Sequence, residues 1–215
     1  MGNKMKHLWI CITVFAMVLL VSTTAQAATP KSNALKAYKK LLSQKTIKWG
    51  DGSRKVPLKD CEFSLAYVDN DSVPELFISN NTAVSHAEGS ALLYTYKNGK
   101  LRFVNNLFMD YRKFSYYKKK GIYTDNHFQM GVTVSTYYKL TNYKGITKLR
   151  TYKEEVDVDR NGKLTTTYCV VRSVNSKNVS KAKFNSELKK LVGTQKKSSL
   201  VWRKNTKANR TKYIK

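Results

Sequence analysis

The sequence predicts an α+β fold: an antiparallel β-meander of about seven or eight strands, with a helix before it and a helix after it. Three observations carry that expectation. Apolar residues recur at helical spacing near both ends, at Leu35, Tyr38, Leu41 and Leu42 and again at Phe184, Leu188, Leu191 and Val192. Between them, from about Phe63 to Arg172, the apolar period falls to two. Asn-Gly pairs at Asn98-Gly99 and Asn161-Gly162 interrupt that stretch and supply the positive φ that a tight hairpin turn needs.

In chain order, Thr29-Pro30 or Ser32 caps the first helix, and Lys36, Lys39 and Lys40 fall off its apolar stripe, toward water. The two glycines of Ile47 to Gly52 read as a turn that ends it. Phe63, Leu65 and Tyr67 alternate with Ser64, Ala66 and Val68, and Leu76-Phe77-Ile78 forms a second short run. Ala91 to Tyr96 and Leu101 to Val104 flank the first Asn-Gly turn as a hairpin. Gly121 to Thr124 is a short strand. Along Val132 to Leu140 one face takes Val132, Val134, Thr136, Tyr138 and Leu140, and the other Thr133, Ser135, Tyr137 and Lys139. Ile146 to Val158 and Leu164 to Arg172 flank the second turn. Ser180 caps the last helix, Gly193 ends it, and Lys189 and Lys190 suit its C-terminal dipole. Leu200, Val201 and Trp202 give the tail one more packing segment.

Residues 1–27 read as a cleaved secretory leader. Lys4, Lys6 and His7 precede 14 residues from Leu8 to Val21 that only Cys11 and Thr13 interrupt, and Ala25-Gln26-Ala27 is a cleavage pattern. The apolar run falls short of the about 20 residues that cross a bilayer. Residues 28–215 then form one α+β domain with a basic C-terminal segment, with no Pro-, Gly- or Ser-rich linker to divide it. The chain has 40 Lys+Arg, 14 Asp+Glu and a net charge of +26; the leader takes two lysines and no acid, which leaves +24. A field of that size serves either solubility or a polyanionic partner. An apolar share of 41% and an aromatic share of 12% still allow a core. Beyond the leader, Cys61 and Cys169 are either a disulfide or two buried thiols.

One segment, Tyr67-Val68-Asp69-Asn70-Asp71-Ser72-Val73-Pro74-Glu75-Leu76, resembles the D-x-D-x-D-G-x-P-E-L run of uncharacterised exported proteins of Gram-positive gut bacteria, chiefly Clostridia. Ala37-Tyr38-Lys39-Lys40, Leu93 to Lys100, Tyr137 to Leu140 and Asn205 to Arg210 fit the same resemblance. It implies export and a fold, not an activity. It also implies a calcium-loop-like turn, in which Asp69, Asp71 and Glu75 are the candidate ligands. Tyr67 stands at the first acidic position and Ser72 at the glycine. Both departures weaken any calcium site, since the ion wants six to eight oxygens and the turn wants glycine.

The sequence is poor in catalytic chemistry. Beyond the leader only His86 and His127 remain; His86-Ala87-Glu88 lacks the P-C-x-x-C of zinc deaminases. No H-E-x-x-H, Walker loop, nucleophile elbow or dinucleotide fingerprint occurs. A secreted hydrolase built on Asp125, His127 or the cysteines, or a calcium-stabilised extracellular module, is the alternative to the leading expectation. That expectation is a non-enzymatic binding protein, extracellular or at the cell envelope, held by charge to wall polymers, glycans or a lipid surface. Arg112, Lys113, Lys118, Lys119 and Lys120, interleaved with Tyr111, Phe114, Tyr116 and Tyr117, form one basic cluster. Lys196, Lys197, Arg203, Lys204, Lys207, Arg210 and Lys212 form a second, within a stretch from Lys177 that holds 13 cations and the single acid Glu187. Export disfavours nucleic acid as the main partner, although aromatics between cations can stack on bases.

Overall fold

In the computed structural model, which describes residues 28–49, 52, 54–80, 90–108, 114–129, 132–158 and 164–215, Thr29 caps the first helix. For residues 108, 128–129, 152–158 and 164–171 the backbone alone is described. The leader, His86, Arg112, Lys113, the Asn161-Gly162 turn and the side chain of Cys169 lie outside that description.

Thr29 Oγ1 accepts from Ser32 N at 3.2 Å, satisfying one of the orphan donors of α1 (Pro30–Leu42). Pro30 costs nothing at the first helical position, where no N–H partner exists. The segment read as a turn is a hairpin instead: β1 (Thr46–Trp49) pairs with β2 (Arg54–Pro57). Ile47 and Trp49 turn inward while Thr46 and Lys48 face water, and Gly52, at φ 89°, lies between the strands. A 3-10 turn (Leu58–Asp60) leads into the larger sheets.

The first of these holds β3 (Cys61–Ala66), β4 (Glu75–Asn80), β5 (Ser90–Lys97), β6 (Lys100–Phe108) and the late strand β14 (Arg203–Lys204), in the order β14-β3-β4-β5-β6. The second runs β12-β11-β10-β9-β8-β7-β13. Its members are β7 (Ser115–Tyr117), β8 (Ile122–Gln129), β9 (Val132–Thr141), β10 (Lys144–Val158), β11 (Leu164–Val174), β12 (Lys177–Asn178) and β13 (Lys197–Ser199). All pairings are antiparallel. The expected turn at Asn98-Gly99 is present, with φ of 52° and 73°. The described strands number fourteen, above the seven or eight expected, because six of them hold four residues or fewer and give periodicity too little length to register.

Alternation places each sheet between two cores. Phe63, Leu76, Ile78 and Leu92 pack on Leu35, Tyr38 and Leu42 of α1, together with Ile47, Trp49 and Ile214. Phe77, Ala91, Leu93 and Leu107 point the other way and meet Phe114, Tyr123 and Leu140 of the seven-stranded sheet. That sheet's far face, Tyr117, Ile122, Tyr137 and Leu149, carries Phe184 and Val192 of α2 (Lys181–Val192). The layers are helix, sheet, sheet, helix. Phe77 sits at the middle interface, its ring centroid 4.8 Å from that of Phe114, and truncation of such a buried ring costs about 3–5 kcal/mol. As expected, Ser180 caps α2 through Lys183 N and Gly193 ends it at φ 62°.

The tail adds an element the periodicity gave no sign of, the helix α3 (Lys207–Tyr213), capped by Thr206 and followed by the fully buried Ile214. Val201, expected to pack, is exposed, whereas Leu200 and Trp202 lie against the middle core. Among the described residues no helix is long and apolar enough to cross a membrane.

Candidate functional site

The connection from β3 to β4 carries the acidic loop. Asp69 Oδ1 accepts from Asp71 N at 3.1 Å, and Asp71 Oδ1 accepts from Val73 N at 2.8 Å, two side chains each bonding the backbone two residues on. Their other oxygens turn to Lys97, the last residue of β5. Lys97 Nζ stands 3.1 Å from Asp69 Oδ2 and also bonds Asp71 Oδ2. Glu75 opens β4 between two neighbours, opposite Ala66 and one residue beyond the Leu76–Tyr94 pair. It is fully buried; Val68 N donates to its Oε2 at 2.9 Å and Thr95 Oγ1 to its Oε1 at 3.1 Å.

The three expected carboxylates therefore do meet, with one oxygen from each within 4.8 Å of the others. Burial first, and the nearby Asp69 charge second, push the Glu75 carboxyl up to about 8, against the two hydrogen bonds that favour its charged form. Burial acts to lower the Lys97 ammonium, but its bonds to Asp71 and Asp69 outweigh that and the net shift is upward. Tyr38 ties α1 to the loop by donating to Pro74 O at 2.8 Å; burial, then Glu75, raise its phenol far above the ordinary value. Chemically, the loop is a turn whose cation is an ammonium of the same chain. A calcium ion would compete with Lys97 for Asp69 Oδ2 and Asp71 Oδ2.

The two basic stretches of the sequence are redistributed by the fold. Strand β13 pairs with β7 so that Lys197 lies opposite Tyr117. One residue beyond that pair stand Lys196 and Lys118, which brings Lys118, Lys119 and Lys120 of the β7–β8 turn beside Lys196 and Lys197 at one edge of the large sheet. Lys119 N and Gly121 N donate to Tyr67 O and Val68 O, fixing the turn against the acidic loop's first residues. Lys139 Nζ donates to Lys120 O, and Lys197 Nζ lies 5.4 Å from the centre of the Tyr137 ring. The remaining cations of the tail, Arg203, Lys204, Lys207, Arg210 and Lys212, belong elsewhere, with the small sheet and α3. Arg203 lies 3.9 Å from the Tyr213 ring centre and Lys212 Nζ 5.2 Å from it. Bonds from Arg203 and then Lys212 lower that phenol's pKa.

Asn205 joins this second group to the start of the chain. Its Nδ2 donates to Leu42 O and Leu58 O, each at 2.9 Å, its N–H donates to Cys61 O, and its Oδ1 accepts from Arg210 Nη1 at 2.8 Å. The end carbonyl of α1 is thus satisfied by a residue 163 positions away.

Two residues of the hydrolase alternative, Asp125 and His127, share one strand. They lie two residues apart in the interior of β8 and so on one face of it, and strand pairing with β9 runs through them as Asp125–Thr136 and His127–Val134. Asp125 is buried, and Arg150 Nε donates to Thr136 Oγ1 at 3.3 Å beside it. Of the two alternatives for the cysteines, Cys61 is the free thiol: it is buried, bonded to Pro57 O at 3.5 Å, and raised to about 12 by burial and then by Asp60. A thiol so raised is protonated at neutral pH and a poor nucleophile.

Sequence reasoning missed Lys97, Thr95 and Asn205. Lys97 alone had a signal, as the last residue before an Asn-Gly turn, where a long side chain reaches a neighbouring loop. No family model, no curated protein and no solved structure matches this chain.

Proposed function

We propose that the chain is an exported binding protein, retained at the cell envelope or in its surroundings by attraction to anionic polymers. The observation that supports it is unneutralised charge on the surface of the described residues. The described ion pairs engage Lys97 with Asp69 and Asp71, and Lys183 and Lys190 with Glu187. Lys45, Lys59, Lys118, Lys196 and Lys207 form no ion pair among the described residues. Each lysine close to an anionic surface contributes about 1 kcal/mol, and the contribution fades within about 8 Å at physiological salt. Several acting together hold a protein without any one pocket.

The test is fractionation of the native host into medium, salt wash and membrane, with mass spectrometry of the mature N-terminus. The expected result is a chain beginning near Ala28 that molar salt releases. Saturable binding to cells that molar salt leaves unchanged would refute retention by charge, and an intact leader would refute export.

A further inference from the structure

Two hollows lie along α1, where the end of the chain packs beside it. The first, of about 450 Å³, is lined by Lys45, Lys59, Lys207 and Arg210 over a floor that includes Leu42 and Asn205. The second, of about 390 Å³, is lined by Lys31, Lys36, Lys39 and Lys215 over Leu35 and Ile214. No acidic side chain lines either one. The first hollow joins Lys207 and Arg210 of the basic tail to Lys45 and Lys59 from the start of the chain, where Asn205 bonds the carbonyls of Leu42 and Leu58.

We propose that the groove between α1 and the end of the chain is a binding site for a linear polymer of oxyanions, seated with anionic groups in both hollows. This rests on the charge-retention reading and gives it a place and a ligand class. Leu35 and Leu42, one in each floor, are seven residues apart on a helix, which sets the hollows about 10 Å apart. A single oxyanion fills one hollow. A chain bearing anions along its length occupies both, and the second contact is then intramolecular, at the high effective concentration of a tethered group. The separation is about the Debye length at physiological salt, so the two hollows act on one ligand only when a ligand physically bridges them. The α1 C-terminus opposes an anion in the first hollow, but it carries about half a charge, its Leu42 carbonyl is already bonded to Asn205, and four full cations surround it. Both hollows are concave, so a flexible chain enters them where a flat lipid surface does not.

The experiment measures binding of linear polyphosphate, poly-glutamate and inorganic phosphate to the mature chain by calorimetry at physiological salt. Three proteins are compared: wild type, the groove variant K45E/K59E/K207E, and the control K100E/K144E/K177E, which changes the net charge equally at exposed sites away from the groove and from the basic clusters. Arg210 is left intact because it bonds Asn205, and melting curves confirm that all three fold. Wild type is expected to bind at least one polymer about a hundredfold more tightly than inorganic phosphate, the preferred polymer telling phosphate from carboxylate. The groove variant should lose about a hundredfold and the control less than about threefold. Equal losses in both variants would overturn the groove and leave retention by general charge standing. Failure of wild type to bind either polymer would overturn both.

Discussion

Replacing Glu75 by Gln should abolish a loss of stability that accompanies rising pH. The carboxyl is fully buried, its pKa stands near 8 against an ordinary value of 4.5, and burial is the larger cause, with Asp69 next. In the folded chain Glu75 thus keeps its proton across a range in which the unfolded chain has lost it. The stability this gives is complete below about pH 4.5 and is lost as pH rises through about 8. Within that window one proton separates the two states, so the wild type should lose about 1.4 kcal/mol of stability per pH unit relative to the Gln variant, which has nothing to titrate there. For a domain of this size that is about 3–5 °C in Tm per pH unit. Gln preserves the shape, accepts from Val68 N through its carbonyl oxygen, and presents its amide to Thr95. Urea melts of both proteins at pH 5, 6, 7 and 8 isolate the effect, because every other titrating group cancels in the difference. A wild-type-minus-variant difference that stays flat, or that grows with pH, would refute the assignment of a buried, proton-holding Glu75.

Two further outcomes follow from the same region and from the interface between the sheets. Lys97→Met leaves Asp69 and Asp71 without their ammonium and should cost about 1–2 kcal/mol; millimolar calcium should recover it in the variant, whereas wild type should melt at the same temperature in calcium and in chelator. A wild-type Tm that rises by several degrees with calcium would show that the ion, not Lys97, is the cation of the loop. At Gly145 an added Cβ would lie 2.0 Å from the Tyr123 hydroxyl oxygen, so Gly145→Ala should cost about 1–3 kcal/mol or more. Tyr123→Phe removes that oxygen and leaves the ring carbon at 3.2 Å as the nearest atom, so the double variant should regain much of the loss by thermal melting; additive losses would refute the clash.

What the sequence made legible followed the length of each pattern. Strands such as β4, β5 and β9 could be read because their alternate residues face different cores, so even Tyr137 and Tyr138, adjacent and alike, part toward α2 and toward the small sheet. Strand β1 was read as a turn because only Ile47 and Trp49 mark its alternation and the glycines beside it were the louder signal. Helix α3 has seven residues and no buried side chain of its own; it is held by Ile214 just beyond it, and no stripe exists to find. The acidic loop shows the same division. Asp69, Asp71 and Glu75 lie close in sequence and were found together, while the residues that fix their chemistry, Thr95 and Lys97, arrive through the register of β4 on β5. Charge was counted correctly but misplaced: one linear basic tail became an edge of the large sheet and a groove at α1.

The groove also explains why cations so far apart in sequence are held together against their own repulsion. Unit charges about 8 Å apart in water repel by about 0.5 kcal/mol, less with salt, so four around one hollow cost on the order of 1–2 kcal/mol. Against this stand the buried Asn205, whose loss would strand the carbonyls of Leu42 and Leu58 at about 1–3 kcal/mol each, and Ile214, whose burial contributes about 1.5–3 kcal/mol. The anchor outweighs the repulsion with a margin, so the cations stay in place without a ligand, and an oxyanion that enters meets them already arranged. The same comparison separates binding from folding in the groove variant. K45E/K59E/K207E removes the repulsion and leaves Asn205 and Ile214 untouched, so it should melt no lower than wild type while losing the polymer. A variant that loses both would mean that the lysines hold the tail in place, and the groove would then be a consequence of packing, not a site.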